Sequence, residues 1–480
     1  MKKDVMKQTK IVATIGPASE SKEVLQKMIV AGLNVVRLNF SHGAYEWHKM
    51  VIDRVRALSR EMNVPIGILA DIQGPRIRTE ITEPIEVHQG TIVRMSDIAK
   101  KEVLLVSEIP TVLFDMPNII DGVKEGHNIL IEDGTVELVV KEKGDTFVLA
   151  EVKNDGTIKN RKGVTLPDST LVLDILTEKD KKDLHFVVEE GVDFIGLSFV
   201  GTAEDVTYVR TTMKAMFPEK EYFPKLISKI ERKVAIENLS ALVKVSDAVM
   251  VARGDLGVEM PESEVAILQK QIIAESLKSA KPVIVATQML KSMTENPRPT
   301  RAEVSDVSNA VIDHADAVML SEESAMGKYP VEAVAMLAEI AKKTEESPFN
   351  DMYETLNVNF HSETALMMRS VYELARSFQT KAILLFSVSG HAAKLLSHFR
   401  PEKRIFVATK SRNTYNELAL VWGVDPYVFE EDNDTDDFIR HLMEKVRDDG
   451  KLSVGDQVVV FHGRTRVEDN MKLVGIKEIR

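Results

Sequence analysis

The chain has 480 residues, of which 44% are hydrophobic and 28% charged, and its formal net charge is −12. This length predicts several domains, and the acidic balance argues against a general nucleic-acid binder, which usually carries a basic surface. The absence of cysteine excludes disulfides and thiolate sites, and with no apolar leader or membrane-length apolar run we expect a cytoplasmic protein without nucleic-acid or membrane partners.

The first 74 residues alternate short apolar runs with amphipathic stretches. Strands are predicted over Ile11–Ile15, Asn34–Phe40 and Ile66–Ile72, and helices over Lys22–Val30 and Tyr45–Met62. Continuously apolar strands separated by helices are typical of a parallel sheet covered on both faces.

From residue 75 to residue 174 short strands follow one another without a clear helix. Glycine turn signals such as Asp133-Gly134 and Lys143-Gly144 separate them. The predicted strands are Thr91–Met95, Val103–Val106, Asn128–Ile131, Val136–Val140 and Thr146–Val152. This pattern predicts an all-β domain inserted into an α/β domain.

The α/β alternation resumes over residues 175–348. Its predicted strands are Phe194–Phe199, Lys225–Ile230, Ala248–Ala252, Val283–Thr287 and Ala317–Leu320. Three strands before the insertion and five after it make eight, which is the number in a TIM (β/α)8 barrel.

Residues 349–480 begin a further α/β alternation. The predicted strands are Ala382–Ser387, Ile405–Thr409, Tyr427–Phe429 and Gln457–Phe461. We therefore expect a separate, open α/β domain at the C-terminal end.

Polar and charged side chains follow most of the predicted barrel strands. In strand order they are Arg37, Asn39, Ser41 and His42; Asp71, Arg76 and Arg78; Lys229 and Glu231; Arg253, Gly254 and Asp255; Thr287; and Ser321, Glu322 and Glu323. Barrel enzymes build their active sites at the carboxyl ends of the strands. The set therefore predicts one catalytic site.

The residue types indicate phosphoryl transfer. Glu231 and Asp255 offer carboxylate oxygens to Mg²⁺, while Arg37, Arg78 and Lys229 supply positive charge. A metal and fixed cations neutralise the charge that develops on a transferring phosphoryl group. No P-loop sequence is present, so a P-loop enzyme is excluded.

Several segments closely resemble the pyruvate kinase family. They are TKIVATIGPAS (9–19), VVRLNFSHG (35–43), ISKIE (227–231), VMVARGDLGVEMP (249–261), VATQML (285–290) and NPRPTRAEVSDVSNAV (296–311). The resemblance covers the whole chain. It implies the final step of glycolysis, in which phosphoenolpyruvate and ADP give pyruvate and ATP with Mg²⁺ or Mn²⁺.

The resemblance also implies residue roles. Arg37 and Lys229 would contact the phosphoryl group, with Lys229 stabilising the transition state, and Glu231 and Asp255 would bind the metal. The amides near Gly254 and Asp255 and the Thr287 hydroxyl would bind the substrate carboxylate, and Glu323 would take part in proton delivery. The residues implied for nucleotide binding are Asn39, Ser41, His42, Arg78 and Lys162. A monovalent-cation site would consist of Asn39, Ser41, Asp71 and the Ile72 carbonyl.

Several positions depart from the commonest family pattern. Ile72, Gln73 and Arg76 replace the Thr, Lys and Glu that many members carry, so we expect an enzyme that works without K⁺, with Arg76 in place of the ion. Ser387, Ser389 and Gly390 match a turn that can bind a sugar-phosphate effector, with AMP as an alternative, although His391 and Ala392 replace hydroxyl residues often found there. An ordinary βα turn is the other interpretation of that segment.

Two other classes stay open on the residues alone. One is a silent regulatory relative, against which the intact Lys229, Glu231, Asp255 and Thr287 argue. The other is a metal-dependent aldolase, against which the inserted domain and the nucleotide-side residues argue. The family is commonly a homotetramer, and we expect that state here.

Overall fold

The computed structural model describes residues 7–100, 109–169, 173–350, 362–430, 435–463 and 472–480. The strands in chain order are β1 (Lys10–Thr14), β2 (Val35–Asn39), β3 (Gly67–Ile72), β4 (Thr79–Glu80), β5 (Ile85–Val87), β6 (Ile92–Asp97), β7 (Thr111–Phe114), β8 (Asn128–Ile131), β9 (Val136–Lys143), β10 (Val148–Val152), β11 (Gly156–Ile158), β12 (Val164–Thr165), β13 (Phe194–Leu197), β14 (Lys225–Ile230), β15 (Ala248–Ala252), β16 (Val283–Ala286), β17 (Ala317–Leu320), β18 (Ala382–Phe386), β19 (Arg404–Thr409), β20 (Val424–Val428), β21 (Gln457–Gly463) and β22 (Lys472–Glu478).

The α-helices follow the same numbering. They are α1 (Lys22–Ala31), α2 (Tyr45–Met62), α3 (Glu178–Glu189), α4 (Ala203–Met216), α5 (Lys233–Glu237), α6 (Leu239–Val245), α7 (Arg253–Glu259), α8 (Glu262–Lys278), α9 (Arg301–Ile312), α10 (Glu322–Ala325), α11 (Pro330–Glu345), α12 (Glu363–Ser377), α13 (His391–His398), α14 (Arg412–Glu417) and α15 (Thr435–Asp448). In the described part of the chain, none of them combines the length and apolar character needed to cross a bilayer.

Eight parallel strands close into a barrel in the order β1-β17-β16-β15-β14-β13-β3-β2. The TIM barrel prediction is confirmed. β3 pairs directly with β13, for example Asp71 with Gly196, although the inserted segment separates them in the chain. The strands are continuously apolar because helices cover the outside while other side chains fill the interior, and strands such as β1, β3 and β15 are buried throughout.

The inserted segment forms a seven-stranded sheet in the order β12-β8-β9-β10-β6-β7-β4, together with the pair β11-β5. The predicted all-β insertion is confirmed. Among the described strands, β4, β5, β7, β11 and β12 were not predicted, because runs of two to four residues are too short for an alternating pattern. The predicted strand Val103–Val106 lies outside the described residues.

The C-terminal sheet has the order β20-β19-β18-β21-β22. The predicted open α/β domain is confirmed, with four parallel strands and an antiparallel edge strand β22 that the sequence analysis missed. β22 is largely exposed, so its sequence lacks the apolar run on which prediction relied. The boundaries at residues 74, 174 and 348 stay predictions.

Candidate active site

A cleft of about 400 Å³ lies at the carboxyl ends of the barrel strands, where the inserted sheet faces them. Polar side chains of both domains form its walls. The predicted residues that line it are Arg37, Asn39, Ser41, His42, Asp71, Arg76, Arg78, Lys162, Lys229, Glu231 and Asp255. The barrel thus brings together residues from four of its strands with residues of the insertion.

Lys229 stands near the end of β14 among polar partners. Its Nζ donates a hydrogen bond of 2.7 Å to Ser198 Oγ and lies 3.2 Å from Glu231 Oε2 and 3.5 Å from Asp71 Oδ1. Burial opposes the charge of the ammonium, but Asp71, Glu231 and Asp255 outweigh burial and raise the pKa of Lys229 above its ordinary value. Lys229 is therefore a permanent cation in the cleft.

Arg37 on β2 is fixed by Asp71 at the end of β3. Arg37 Nε and Nη2 lie 2.8 and 2.7 Å from Asp71 Oδ2, and Nη1 donates to Thr14 Oγ1 at 2.9 Å. Burial works against ionisation of Asp71, yet Lys229 and Arg37 together lower its pKa. Asp71 therefore holds both cations in place, and both of its oxygens are already engaged.

Glu231 and Asp255 present carboxylates from adjacent strands. Glu231 Oε1 accepts a 2.6 Å hydrogen bond from the Phe199 amide, and Phe199 adopts a left-handed backbone with φ 61°. Glu231 Oε2 is buried beside Lys229 and has no partner with hydrogen-bond geometry. Burial raises the pKa of Glu231 to about 7. A buried carboxylate oxygen without a hydrogen-bond donor is well placed to bind a metal ion.

The two carboxylates do not form a complete metal cage. Over the described ranges, no group of three or more His, Asp or Glu side chains is close enough to hold an ion. Mg²⁺ usually takes one or two carboxylates and completes its octahedron with water and substrate oxygens. The two acids therefore fit Mg²⁺ on the condition that substrate supplies further ligands.

Thr287 follows β16 in a strained conformation beside α7. Its φ is 72°, an outlier for a β-branched residue, and its Oγ1 accepts a 2.9 Å hydrogen bond from the Gly254 amide. Arg253 Nη2 donates to the Thr287 carbonyl at 2.6 Å and Nη1 pairs with Asp306 at 2.8 Å. Residues of three sequence motifs thus hold Thr287 against the start of α7.

The wall formed by the insertion carries ion pairs of its own. Lys162 Nζ lies 2.5 Å from Glu132 Oε1, and Arg76 Nη2 lies 2.9 Å from Asp133 Oδ1. Glu132, Asp133 and Gly134 follow one another with positive φ, so this turn directs two acids at two cations of the cleft. Sequence analysis noted the Asp133-Gly134 turn but assigned no role to these acids.

Arg78 stands at the base of the insertion. Its backbone forms an isolated bridge with Gly163, and its Nη1 donates to the Arg161 carbonyl at 3.1 Å. Burial, together with the neighbouring charges of Arg76 and Arg161, lowers the pKa of Arg78. Arg161, Ser198 and Phe199 also line the cleft. Sequence reasoning missed these three, although the RKG segment placed Arg161 next to Lys162.

Two models of known protein families match most of this chain. The family model described as Pyruvate kinase, barrel domain, matches residues 6–334, and Pyruvate kinase, alpha/beta domain, matches residues 366–474. The chain belongs to the pyruvate kinase family. A pyruvate kinase of Staphylococcus epidermidis is 42% identical over 468 residues, covering 95% of this chain and 78% of that protein. Pyruvate kinases of Staphylococcus saprophyticus and Staphylococcus aureus are 42% and 41% identical over 466 residues, with the same coverage of both chains.

Family membership settles the reaction class. A pyruvate kinase is a phosphotransferase whose substrates are phosphoenolpyruvate and ADP and whose products are pyruvate and ATP, and the family generally uses Mg²⁺. This match argues against the aldolase. A silent relative would match the same family models, and the argument against it is that Lys229, Glu231 and Asp255 are present and meet in the cleft.

Four residues expected at the pyruvate kinase site do not line the cleft: Gly254 and Thr287, which are hydrogen-bonded to each other at the start of α7, and Glu323 and Ile72. The Glu323 carboxylate is buried and accepts the Leu290 and Ser321 amides at 3.1 and 2.8 Å. The Ile72 carbonyl accepts the Ser198 hydroxyl at 2.9 Å. Both groups already have hydrogen-bond donors, and their predicted roles in proton delivery and cation binding stay predictions.

In the described part of the chain, Arg76 forms no hydrogen bond with the predicted K⁺ ligands, which are Asn39, Ser41, Asp71 and the Ile72 carbonyl. Its side chain pairs with Asp133 and lies against Gly163, where an added Cβ would stand 2.7 Å from Arg76 Nε. Asn39 Oδ1 instead accepts the Ser41 amide at 3.1 Å. Arg76 contributes its charge to the same cleft from the side of the insertion.

The predicted effector turn connects β18 to α13. Ser387 is buried and its amide donates to the Ala408 carbonyl, whereas Ser389 is exposed. Gly390 is the N-cap of α13 with φ 72°. The turn has the form expected of a βα connection, and effector binding there stays a prediction.

Proposed function

We propose that Lys229 and Arg37 carry the phosphoryl transfer of this pyruvate kinase. The P–O bond to the enolate oxygen of phosphoenolpyruvate breaks, a bond to the β-phosphate oxygen of ADP forms, and the enolate takes a proton at its methylene carbon. The observation that carries the proposal is the buried Lys229 ammonium, held among Asp71, Glu231 and Ser198. A fixed charge of this kind stabilises the transition state without reorganisation.

Glu231 and Asp255 would hold the Mg²⁺ or Mn²⁺ ion. The metal supplies positive charge that neutralises the phosphoryl oxygens. The buried Glu231 Oε2 without a hydrogen-bond partner supports this assignment. Asp255 contributes from the first turn of α7, which follows the neighbouring strand β15.

The substrate carboxylate would bind at the start of α7. Gly254 and Asp255 supply backbone amides in the first turn of this helix, and Thr287 Oγ1 lies 2.9 Å from the Gly254 amide. A carboxylate at this position would replace the bond between Gly254 and Thr287. Thr287 would then face the enolate, with Glu323 as a more remote source of the proton.

ADP would bind between the barrel and the inserted sheet. Asn39, Ser41, His42, Arg78 and Lys162 line that part of the cleft. Lys162 is at present paired with Glu132. The diphosphate of ADP carries more negative charge than one carboxylate, so we expect it to take Lys162 from Glu132.

The enzyme would work without K⁺. Arg76 places a permanent cation in the same cleft as Asn39, Ser41 and Asp71, which disfavours a second free cation there. The assay is the reaction with Mg²⁺ and a bulky organic ammonium as the only monovalent cation. Full dependence on added K⁺ would refute this part of the proposal.

Regulation and assembly complete the proposal. A sugar phosphate or AMP would bind at Ser387, Ser389 and Gly390 and lower the apparent KM for phosphoenolpyruvate. Linkage then requires that, at equilibrium, each ligand tightens binding of the other by the same factor. Titration with these compounds tests effector binding.

The enzyme would assemble as a homotetramer, which light scattering tests. We also propose a cytoplasmic location.

The decisive test is a coupled assay of pyruvate formation from phosphoenolpyruvate. Pyruvate should form only when ADP and Mg²⁺ are both present, with one ATP for each pyruvate. Release of pyruvate without nucleotide would contradict the proposal.

A further inference from the structure

The chain crosses between the barrel and the inserted sheet twice. On the way out, Ile72 belongs to the barrel core and Ile77 to the core of the inserted sheet. On the way back, Leu173 packs against the inserted sheet and Ile175 belongs to the barrel core. Both crossings are only a few residues long, so small changes at either would alter how the sheet stands over the cleft.

Asp180 in the first turn of α3 links the outgoing crossing to the N-cap of its own helix, just after the return crossing. Its side chain is completely buried, and its Oδ1 accepts the Gly74 amide of the outgoing crossing at 3.0 Å. Its Oδ2 accepts the amide and hydroxyl of Thr177, just after the return crossing, at 2.9 and 2.5 Å. One carboxylate therefore joins the segment after the return crossing to Gly74, which lies 106 residues from Asp180 in the chain.

The outgoing crossing also contacts the environment of the catalytic lysine. Gly74 has φ +70°, and a Cβ there would stand 2.9 Å from the Ser198 carbonyl, so the segment is fixed against Ser198. Ser198 Oγ accepts Lys229 Nζ at 2.7 Å and donates to the Ile72 carbonyl at 2.9 Å. Close packing therefore holds the barrel end of this crossing next to Ser198 without help from Asp180, so loss of the Asp180 contact should reach the inserted sheet and spare Lys229.

Helix capping alone does not explain the contacts of Asp180. The next helix, α4, has the same capping box, in which Asp205 Oδ2 accepts the Thr202 amide at 2.9 Å and the Gly201 amide at 2.8 Å. Both partners of Asp205 are within four residues of it. Asp180 differs in its distant partner Gly74, which capping does not require.

We propose that Asp180 is a positioning residue that fixes the inserted sheet over the cleft in the orientation that ADP binding and transfer require. The inference rests on the proposed nucleotide site between barrel and insertion. It predicts that Asp180 acts on nucleotide-dependent steps and leaves the chemistry confined to the barrel intact.

The test compares Asp180→Ala with the matched variant Asp205→Ala. Because small misplacements of reacting groups are costly, Asp180→Ala should raise the KM for ADP and lower kcat, each by roughly tenfold or more. Asp205→Ala loses a capping box as well but should leave both values within about twofold. Exchange of pyruvate methyl protons with solvent deuterium, followed by NMR, needs no ADP and should stay near the unmodified rate in both variants.

Several outcomes would overturn the inference. They are an unchanged KM for ADP in Asp180→Ala, an equal rise in Asp205→Ala, or a proton exchange rate that falls in parallel with transfer. If Asp180→Ala does not fold, Asp180→Asn decides by the same criteria, because its single amide oxygen cannot accept both the Gly74 amide and the Thr177 amide, so the link between the two segments is broken.

Lys162→Gln separates this inference from the proposed nucleotide site. A raised KM for ADP in Lys162→Gln with no change in Asp180→Ala would refute the positioning role alone. An unchanged KM for ADP in Lys162→Gln would refute the nucleotide site, and the inference with it.

Discussion

The two walls of the cleft hold their charges in different ways. On the barrel wall, Lys229, Asp71 and Glu231 are 12%, 3% and 1% exposed, and Lys229 contacts both acids. On the wall formed by the insertion, Arg76 and Lys162 are 34% and 35% exposed and pair with acids of their own domain. The first set is buried and mutually fixed, and the second is open to water.

The difference in exposure predicts that the barrel wall performs the chemistry and that the insertion wall binds the nucleotide. Charges in a poorly solvated site interact strongly and keep their geometry, which is what stabilisation of a transition state requires. Exposed ion pairs contribute about 0–1 kcal/mol, so a ligand can exchange them readily. We therefore expect substitutions in the barrel wall to lower kcat and substitutions in the insertion wall to raise KM.

The largest effect is expected for Lys229→Met. Loss of one preorganised charge should lower kcat by ~10²–10³-fold or more. The control is Lys225→Met, which removes an ammonium from the opposite end of β14, where Lys225 pairs with Glu417. A fall of less than tenfold for Lys229→Met would show that another group stabilises the transition state.

Glu231→Gln should follow in size. An amide removes the negative charge that a hard cation prefers, so half-saturation should need about tenfold or more Mg²⁺ and kcat should fall. A magnesium titration at saturating substrates measures this. Glu259→Gln, in α7 but paired with Arg232, is the control and should titrate like the unmodified enzyme. Identical titrations for both variants would argue against a metal at Glu231.

A smaller effect is expected for Lys162→Gln. Loss of one exposed cation should raise the KM for ADP by roughly tenfold while the KM for phosphoenolpyruvate stays within about twofold. Lys159→Gln, in the same segment but outside the cleft lining, should change neither value. A change confined to phosphoenolpyruvate would reverse the assignment of this wall.

The smallest expected change in rate, under saturating K⁺, is for Arg76→Glu. The acid should create a potassium requirement, so activity without K⁺ should fall and added K⁺ should restore most of it. Asp133→Asn, which frees Arg76 from its ion pair, should keep activity independent of K⁺. If the activity of Arg76→Glu does not change with added K⁺, Arg76 is not the reason why the enzyme works without K⁺.

The sequence by itself determined the architecture and which side chains of the barrel wall meet in the cleft. The predicted bounds of α2, β14, β15 and β17 agree with the structure to the residue, because buried strands and amphipathic helices leave strong local patterns. Arg37, Lys229, Glu231 and Asp255 were found because parallel strands place their carboxyl ends at one rim.

Only the tertiary structure decided the contacts between distant segments. The pairing of Asp180 with Gly74, the turn that aims Glu132 and Asp133 at cleft cations, and the enclosure of Glu323 by backbone amides leave no periodic signal in the chain. Each depends on backbone directions set where separate elements meet. Local propensity fixes which elements form, whereas packing and hydrogen-bond satisfaction fix which side chains face the cleft.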